Sequence, residues 1–145
     1  MPERTFIMIK PEHVELADKI LEELDRYGTR VISAKVDAVP RDTIEEHYSP
    51  HKGKWFFDPM TNAYVEKSVV IAVYEGDNVI QRMMEVIGPT DPKKAGKETI
   101  RGKYGTDSLE SAVAEKRPVQ NVIHRSDCDS EAKREISVWQ KYLEK

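Results

Sequence analysis

The residue types best suited to chemistry gather in one heptad, NVIHRSD, from Asn121 to Asp127. His124 follows the apolar pair Val122–Ile123 and precedes Ser126, Asp127 and a helix-like run. A neutral imidazole is a nucleophile near pH 7, and the N–H groups at a helix start favour phosphate. Such a histidine can accept a phosphoryl group and pass it on, which splits transfer into two half-reactions. One ring nitrogen attacks only while the other is held as a donor, so an acceptor must stand nearby. Glu135 is the candidate, because it lies about 60° from the centre of the last predicted helix's apolar stripe and can lean inward. Phosphoryl transfer otherwise needs charge neutralisation and positioning. Lys10, where the first predicted strand meets its helix, and Arg101, with a forked guanidinium, supply the cations. Phe56 could stack on a base and Thr90 could donate to a phosphate. Taken singly, each has an ordinary reading: a loop histidine, solvated charges, a core aromatic, a turn threonine.

The elements that must position these residues follow from periodicity. Arg4 to Ile9 reads as a strand ended by Lys10-Pro11, and His13 to Tyr27 as a helix carrying Leu16, Ala17, Ile20, Leu21, Leu24 and Tyr27, capped by Gly28. Residues 31–39 alternate, with Ile32, Ala34, Val36 and Ala38 on one face, and Pro40 closes them. Arg41 to Tyr48 is a short helix, and Trp55 to Val65 a second one despite Pro59. Ser68 to Tyr74 is a continuous apolar run, as in a strand covered on both faces. Asn78 to Ile87 is a helix stopped by Gly88-Pro89, and a lysine-rich connection follows. Ser108 to Lys116 adds a short helix, Val119 to Ile123 the last strand, and Asp129 to Tyr142 a final helix with Ala132, Ile136, Trp139 and Leu143 on one stripe. Strand–helix–strand–strand–helix–strand predicts a ferredoxin-like α/β sandwich, a four-stranded antiparallel sheet covered by helices. Residues 1–145 form one domain, with no repeat or linker.

Composition bounds the function. With 145 residues, 39% hydrophobic and 34% charged, the chain can bury a core and keep a polar surface. A net charge of −3 argues against a protein devoted to nucleic-acid backbones. The single cysteine, Cys128, excludes an internal disulfide and a thiolate zinc cluster. No signal peptide and no apolar run of membrane-spanning length is present, so no membrane contact and a cytoplasmic location are expected. His47 and His51 stand four apart, a zinc-like spacing that Pro50 interrupts.

The motifs, taken in order, resemble those of nucleoside diphosphate kinases: ERTFIMIKP at the start, HY-x7-FF from His47 to Phe57, G-x-T-x-P from Gly88, TIRG from Thr99, NVIHRSD, and E-A-x-x-E-I from Glu131. The resemblance covers nearly the whole chain. It implies transfer of the γ-phosphate of a nucleoside triphosphate to a diphosphate through phosphorylated His124. Lys10 would bind the terminal phosphates, Thr90 and Arg101 would hold phosphates, Asn121 would contact the ribose and Phe56 would stack on the base. Tyr48 would stand near the nucleophile, with Ser126 and Glu135 steadying its ring. It also implies Mg2+ carried on the nucleotide phosphates and a homo-oligomer, a hexamer or alternatively a tetramer. Four departures stand out: Met84 where the family places a phosphate-binding arginine, with Arg82 two residues away, Arg125 where it has a small residue, about ten extra residues between Arg101 and Asn121, and a segment after Lys10 that is shorter than usual. Met84 and Arg125 motivate an alternative, a catalytically weakened nucleotide-binding or regulatory homologue of the same fold. An RNA-binding domain of the same fold would need a basic sheet with exposed aromatics, which the buried strand Ser68 to Tyr74 does not offer.

Overall fold

The computed structural model describes residues 2–143. Strands β1 (Glu3–Ile9), β2 (Thr29–Val36), β3 (Val69–Gly76) and β4 (Ile123–Arg125) form one sheet in the order β2-β3-β1-β4, each neighbour antiparallel. This is the expected four-stranded ferredoxin-like arrangement. The helices are α1 (Ala17–Leu24), α2 (Arg41–His47), α3 (Phe57–Asn62), α4 (Val79–Ile87), α5 (Ile100–Tyr104), α6 (Leu109–Ala114), α7 (Asp129–Val138) and α8 (Gln140–Leu143).

Alternation along the strands sorts two cores onto the two faces of the sheet. Ile7, Ile9, Ala72 and Tyr74 pack against Ile20, Leu21 and Leu24 of α1 and Val79, Ile80, Met83 and Ile87 of α4. Phe6, Met8, Ile71 and Val73 pack on the other face with Ile44, Tyr48, Phe57, Trp139 and Leu143. The uninterrupted apolar run of β3 is thus explained, since its residues alternate between two dry faces. Ile32, Ala34 and Val36 of β2 also turn inward as their alternation predicts, whereas Ala38 lies exposed beyond the strand.

Several boundaries differ from the sequence reading. The first helix begins as a 3-10 turn over Pro11–Leu16 and becomes α-helical only at Ala17, after Leu16 adopts φ −97°, ψ 5°. Gly28 lies beyond the helix end at Asp25, and its lack of a side chain is used for packing: a Cβ there would meet Val79 Cγ2 at 2.9 Å. The Trp55–Val65 helix shortens to α3, and the last helix breaks at Trp139, at φ −96°, ψ 6°. The largest correction concerns the last strand. Residues 119–122 do not pair; β4 starts at Ile123, so His124 lies within the strand instead of after it. Pro118 removes a donor at the entry, the Asn121 carbonyl is taken by the Arg101 side chain, and Val122 leaves strand geometry at φ 76°, as described below. Among the described residues no helix is long and apolar enough to cross a membrane.

Because Ile20 is fully buried between α1 and the sheet, Ile20→Ala should cost about 2–5 kcal/mol, read as a lower urea midpoint at unchanged slope. A loss below about 0.5 kcal/mol, the size expected of a surface site, would contradict this packing.

Candidate active site

The backbone before His124 is bent in an unusual way. Val122 has φ 76°, and the N–H of Ile123 donates to the Asn121 carbonyl at 2.8 Å, which together make a γ-turn of positive φ. A β-branched residue avoids this region, so the turn carries strain of order 1–3 kcal/mol and persists only where its surroundings hold it. Arg101, 5% exposed, holds it by donating through Nε to Asn121 O (3.2 Å), through Nη2 to Ile123 O (2.7 Å) and through Nη1 to Gly88 O (2.9 Å). The Lys10 N–H closes the third carbonyl of the turn, Val122 O, at 2.9 Å. Arg101 is delivered by α5, whose N-cap Thr99 accepts from Gly102 N at 3.0 Å. A guanidinium has five N–H donors, so two remain for a ligand. Burial, then the charge of Arg125, lowers its pKa to about 10, which leaves it cationic at neutral pH.

β4 pairs His124 with Met8 and turns its ring toward the face of α2 and α7. Nε2 lies 3.0 Å from Glu135 Oε1, a close approach that is not aligned as a hydrogen bond. Glu135, 4% exposed, is fixed in turn by Ser126 Oγ, which donates to Oε1 at 2.8 Å and accepts from the Phe6 N–H at 3.1 Å. Burial raises the Glu135 carboxyl above its ordinary value. With the carboxylate at Nε2, the ring proton belongs there and the lone pair on Nδ1, which makes no hydrogen bond among the described residues. The imidazole is held neutral: burial, Lys10 and Arg101 lower its pKa to about 3 against the opposing pull of Asp127.

Two neighbours frame this ring. His47, 1% exposed, stands edge-on to His124 with centroids 4.6 Å apart, and Tyr48 stands edge-on at 6.0 Å. The Tyr48 hydroxyl pairs with that of Tyr64 at 2.9 Å, and burial pushes its pKa up. Nitrogen and oxygen atoms of His47, His124 and Glu135 lie within 4.8 Å of one another, a spacing that suggests a metal. The tautomer argues otherwise. Trp139 Nε1 donates to His47 Nδ1 at 3.0 Å, which puts the His47 proton on Nε2, where a metal would need a lone pair. His51 is not brought to His47; its Nδ1 meets Lys54 Nζ at 3.2 Å on the surface.

The remaining sequence candidates surround an adjoining cavity of about 820 Å³. Lys10 and Thr90 line it together with Phe56 and Trp55 from the segment between α2 and α3, and with Leu109 and Val113 of α6. Lys10 Nζ donates to Asn121 Oδ1, and Asn121 Nδ2 donates to Thr90 O at 2.9 Å, so Asn121 ties the lysine to the G-x-T loop. Burial lowers Lys10 to about 8. The segment between Arg101 and Asn121 thus becomes a wall of this cavity. It is anchored by Arg117, whose two terminal nitrogens reach the Asp107 carboxylate at 2.6 and 2.8 Å, and by Asp91, which accepts from Leu109 N at 3.2 Å. Met84 packs against the core of the α1–α4 face, while Arg82 is exposed and its guanidinium has no partner among the described residues. Sequence reasoning missed His47, Tyr64 and the wall made by α6. Only the aromatic character of Tyr64 and the apolar spacing of Leu109 and Val113 could have signalled them.

Comparison with known proteins agrees with this geometry. The sequence model of the family described as "Nucleoside diphosphate kinase" matches residues 3–144. A nucleoside diphosphate kinase of Saccharolobus solfataricus is 40% identical over 139 residues, 94% of each chain. Among solved structures, a nucleoside diphosphate kinase of Encephalitozoon cuniculi superposes with TM-score 0.81 at 34% identity, covering 94% of this chain and 88% of that one. An NDP kinase of Pyrobaculum aerophilum gives TM-score 0.88 at 25% identity over 100% of both chains.

The depressed His124 pKa makes a direct prediction. In an NMR titration its ring signals should stay those of neutral imidazole from about pH 8 down to about pH 5, where an exposed histidine would already be charged. The unfolded chain takes up protons at His124 and His47 near the ordinary histidine value of 6.5, but the folded chain does not. Folding stability is therefore lost as pH falls below that value, and an unfolding midpoint that held constant down to about pH 5 would contradict the assignment.

Proposed function

The chain belongs to the nucleoside diphosphate kinase family and is an enzyme that transfers phosphate between nucleoside tri- and diphosphates, and we propose that the transfer runs through Nδ1 of His124. The observation that carries this reading is the neutral imidazole with Nε2 against Glu135 and Nδ1 without a hydrogen-bond partner among the described residues. The Nδ1 lone pair attacks the γ-phosphorus, the bond to the β–γ bridging oxygen breaks, and the nucleoside diphosphate leaves with that electron pair. The second diphosphate then attacks the phosphohistidine through a terminal oxygen, and the N–P bond breaks back to a neutral ring.

Charge stabilisation falls to the neighbours. Phosphorylation makes the ring cationic, and Glu135, steadied by Ser126, faces the nitrogen that keeps its proton. Lys10 and the two free N–H groups of Arg101 neutralise phosphate oxygens, Thr90 adds a hydroxyl, Asn121 orients Lys10 and meets the ribose, and Tyr48 limits the ring's movement. Phe56 stacks on the base. The donors at the phosphate end are cations, an amide and a hydroxyl, a set that suits Mg2+ arriving on the nucleotide and held by phosphate and water. The ion supplies charge neutralisation of the phosphates when bound. We also assign the protein to the cytosol as a homo-oligomer, a hexamer or a tetramer.

The core packing of Met84 favours a second reading, a homologue that binds nucleotides with reduced turnover. Incubation with γ-labelled ATP separates the two, since only phosphotransfer leaves an acid-labile, base-stable label on the protein. His124→Ala should abolish both label and exchange while ADP still binds; wild-type turnover in that variant would remove His124 from the mechanism. Phe56→Ala should weaken binding of purine and pyrimidine diphosphates alike, by about 1–3 kcal/mol per stacked base.

A further inference from the structure

Arg125 has a guanidinium whose partners are incomplete. Its side chain is only 13% exposed, and its Nε is buried without a hydrogen-bond partner. The partner it has is Asp127, paired through Nη1, whose own side chain is 75% exposed. Two other arginines, Arg101 and Arg134, have fuller sets of partners. Arg101 gives its protons to three carbonyls, and Arg134 to the Glu46 and His47 carbonyls and to Glu131.

Placement makes this guanidinium relevant to chemistry. Arg125 follows the nucleophile in β4 and pairs with Ile7, so it leaves the edge strand on the opposite face from His124, the face of α1 and α4. Arg101 braces the same short strand by its Ile123 carbonyl and ends at Gly88, the close of α4. The two guanidiniums repel: after burial, Arg125 is the largest influence lowering the Arg101 pKa, and it also helps keep His124 neutral. Burial and then Arg101 also lower the Lys10 pKa, with Glu12 pulling more strongly than Arg101 in the opposite direction. Glu135, the buried carboxylate at this site, faces the other side of the His124 ring and is engaged by Ser126. Three cations therefore crowd one strand end, and their mutual repulsion is relieved by a polyanion.

We propose that Arg125 is a phosphate ligand of the nucleotide, exchanging the exposed Asp127 carboxylate for non-bridging oxygens of the polyphosphate held beside His124. Asp127 acts as the placeholder of the empty site, keeping the guanidinium folded against the strand until phosphate arrives. Arg125 then joins Lys10 and Arg101, and it supplies from β4 a cation that the apolar Met84 on α4 does not. The proposal rests on the phosphohistidine reading above.

The test compares ADP with adenosine, two ligands that differ only in the phosphates, by calorimetry on the wild type, Arg125→Ala and Arg125→Lys, with labelling by γ-labelled ATP alongside. Arg125→Ala should lose roughly tenfold or more in ADP affinity with adenosine affinity unchanged, and saturating ATP should still label His124. Arg125→Lys, which keeps the charge but not the fork, should lose about threefold or more for ADP alone. Equal losses for ADP and adenosine would mark Arg125 as structural, and unchanged ADP affinity would remove it from the site; either overturns the proposal. If Arg125→Ala does not fold, Arg125→Lys decides by the same criteria. A wild type that takes no label on His124 would instead overturn the parent reading, which the variants do not test.

Discussion

Val122 sits at φ 76°, fully buried, in a turn that a valine does not choose. Every carbonyl of that turn is claimed: those of Asn121 and Ile123 by Arg101, that of Val122 by the Lys10 main chain. The turn lifts Asn121 toward Thr90 and Lys10 and drops His124 into register with Met8, so one distorted residue fixes both the proposed phosphate-binding side and the proposed nucleophile. The strain is stored where geometry must be repeatable, and Arg101 offsets it with charge-assisted hydrogen bonds. Arg101 is therefore first a brace, and only its remaining donors are free to meet a ligand.

The same burial that makes the turn rigid sets the electrostatics. Removing His124 from water and surrounding it with cations keeps the lone pair available, while the buried Glu135 favours the proton on Nε2 and offsets the charge that phosphorylation would create. The residues behind the ring follow the same logic. Trp139 donates to His47, His47 turns its edge to His124, and Ser126 holds Glu135 from the β1 backbone. A ring with one fixed tautomer and little room to rotate loses less entropy on reaching the transition state.

Much of this was legible in the sequence where periodicity speaks. The stripe of Ile20, Leu21 and Leu24 and the alternation in β2 placed the helices and strands, because burial repeats with the period of the element. Glu135 was found by its angle on α7. β4 was misplaced because Val119, Val122 and Ile123 carry strand propensity, and a one-residue γ-turn held by a distant arginine leaves no local pattern. His47 and His51 share a zinc-like spacing that Pro50 interrupts; a 3-10 turn over Ser49–His51 parts them, and the histidine beside His47 is His124, 77 residues away in sequence. The helical character of α6 was readable, but its place on the cavity depends on the Asp107–Arg117 pair, which lies outside any helical repeat.

The central claim is that Glu135 reserves Nε2 and leaves Nδ1 to react. It is tested most directly by phosphorylating ¹⁵N-histidine-labelled protein with ATP and identifying the N–P bond through ³¹P–¹⁵N coupling. The account predicts phosphorus on Nδ1 of His124, with Nε2 still protonated. Phosphorus on Nε2 would contradict it.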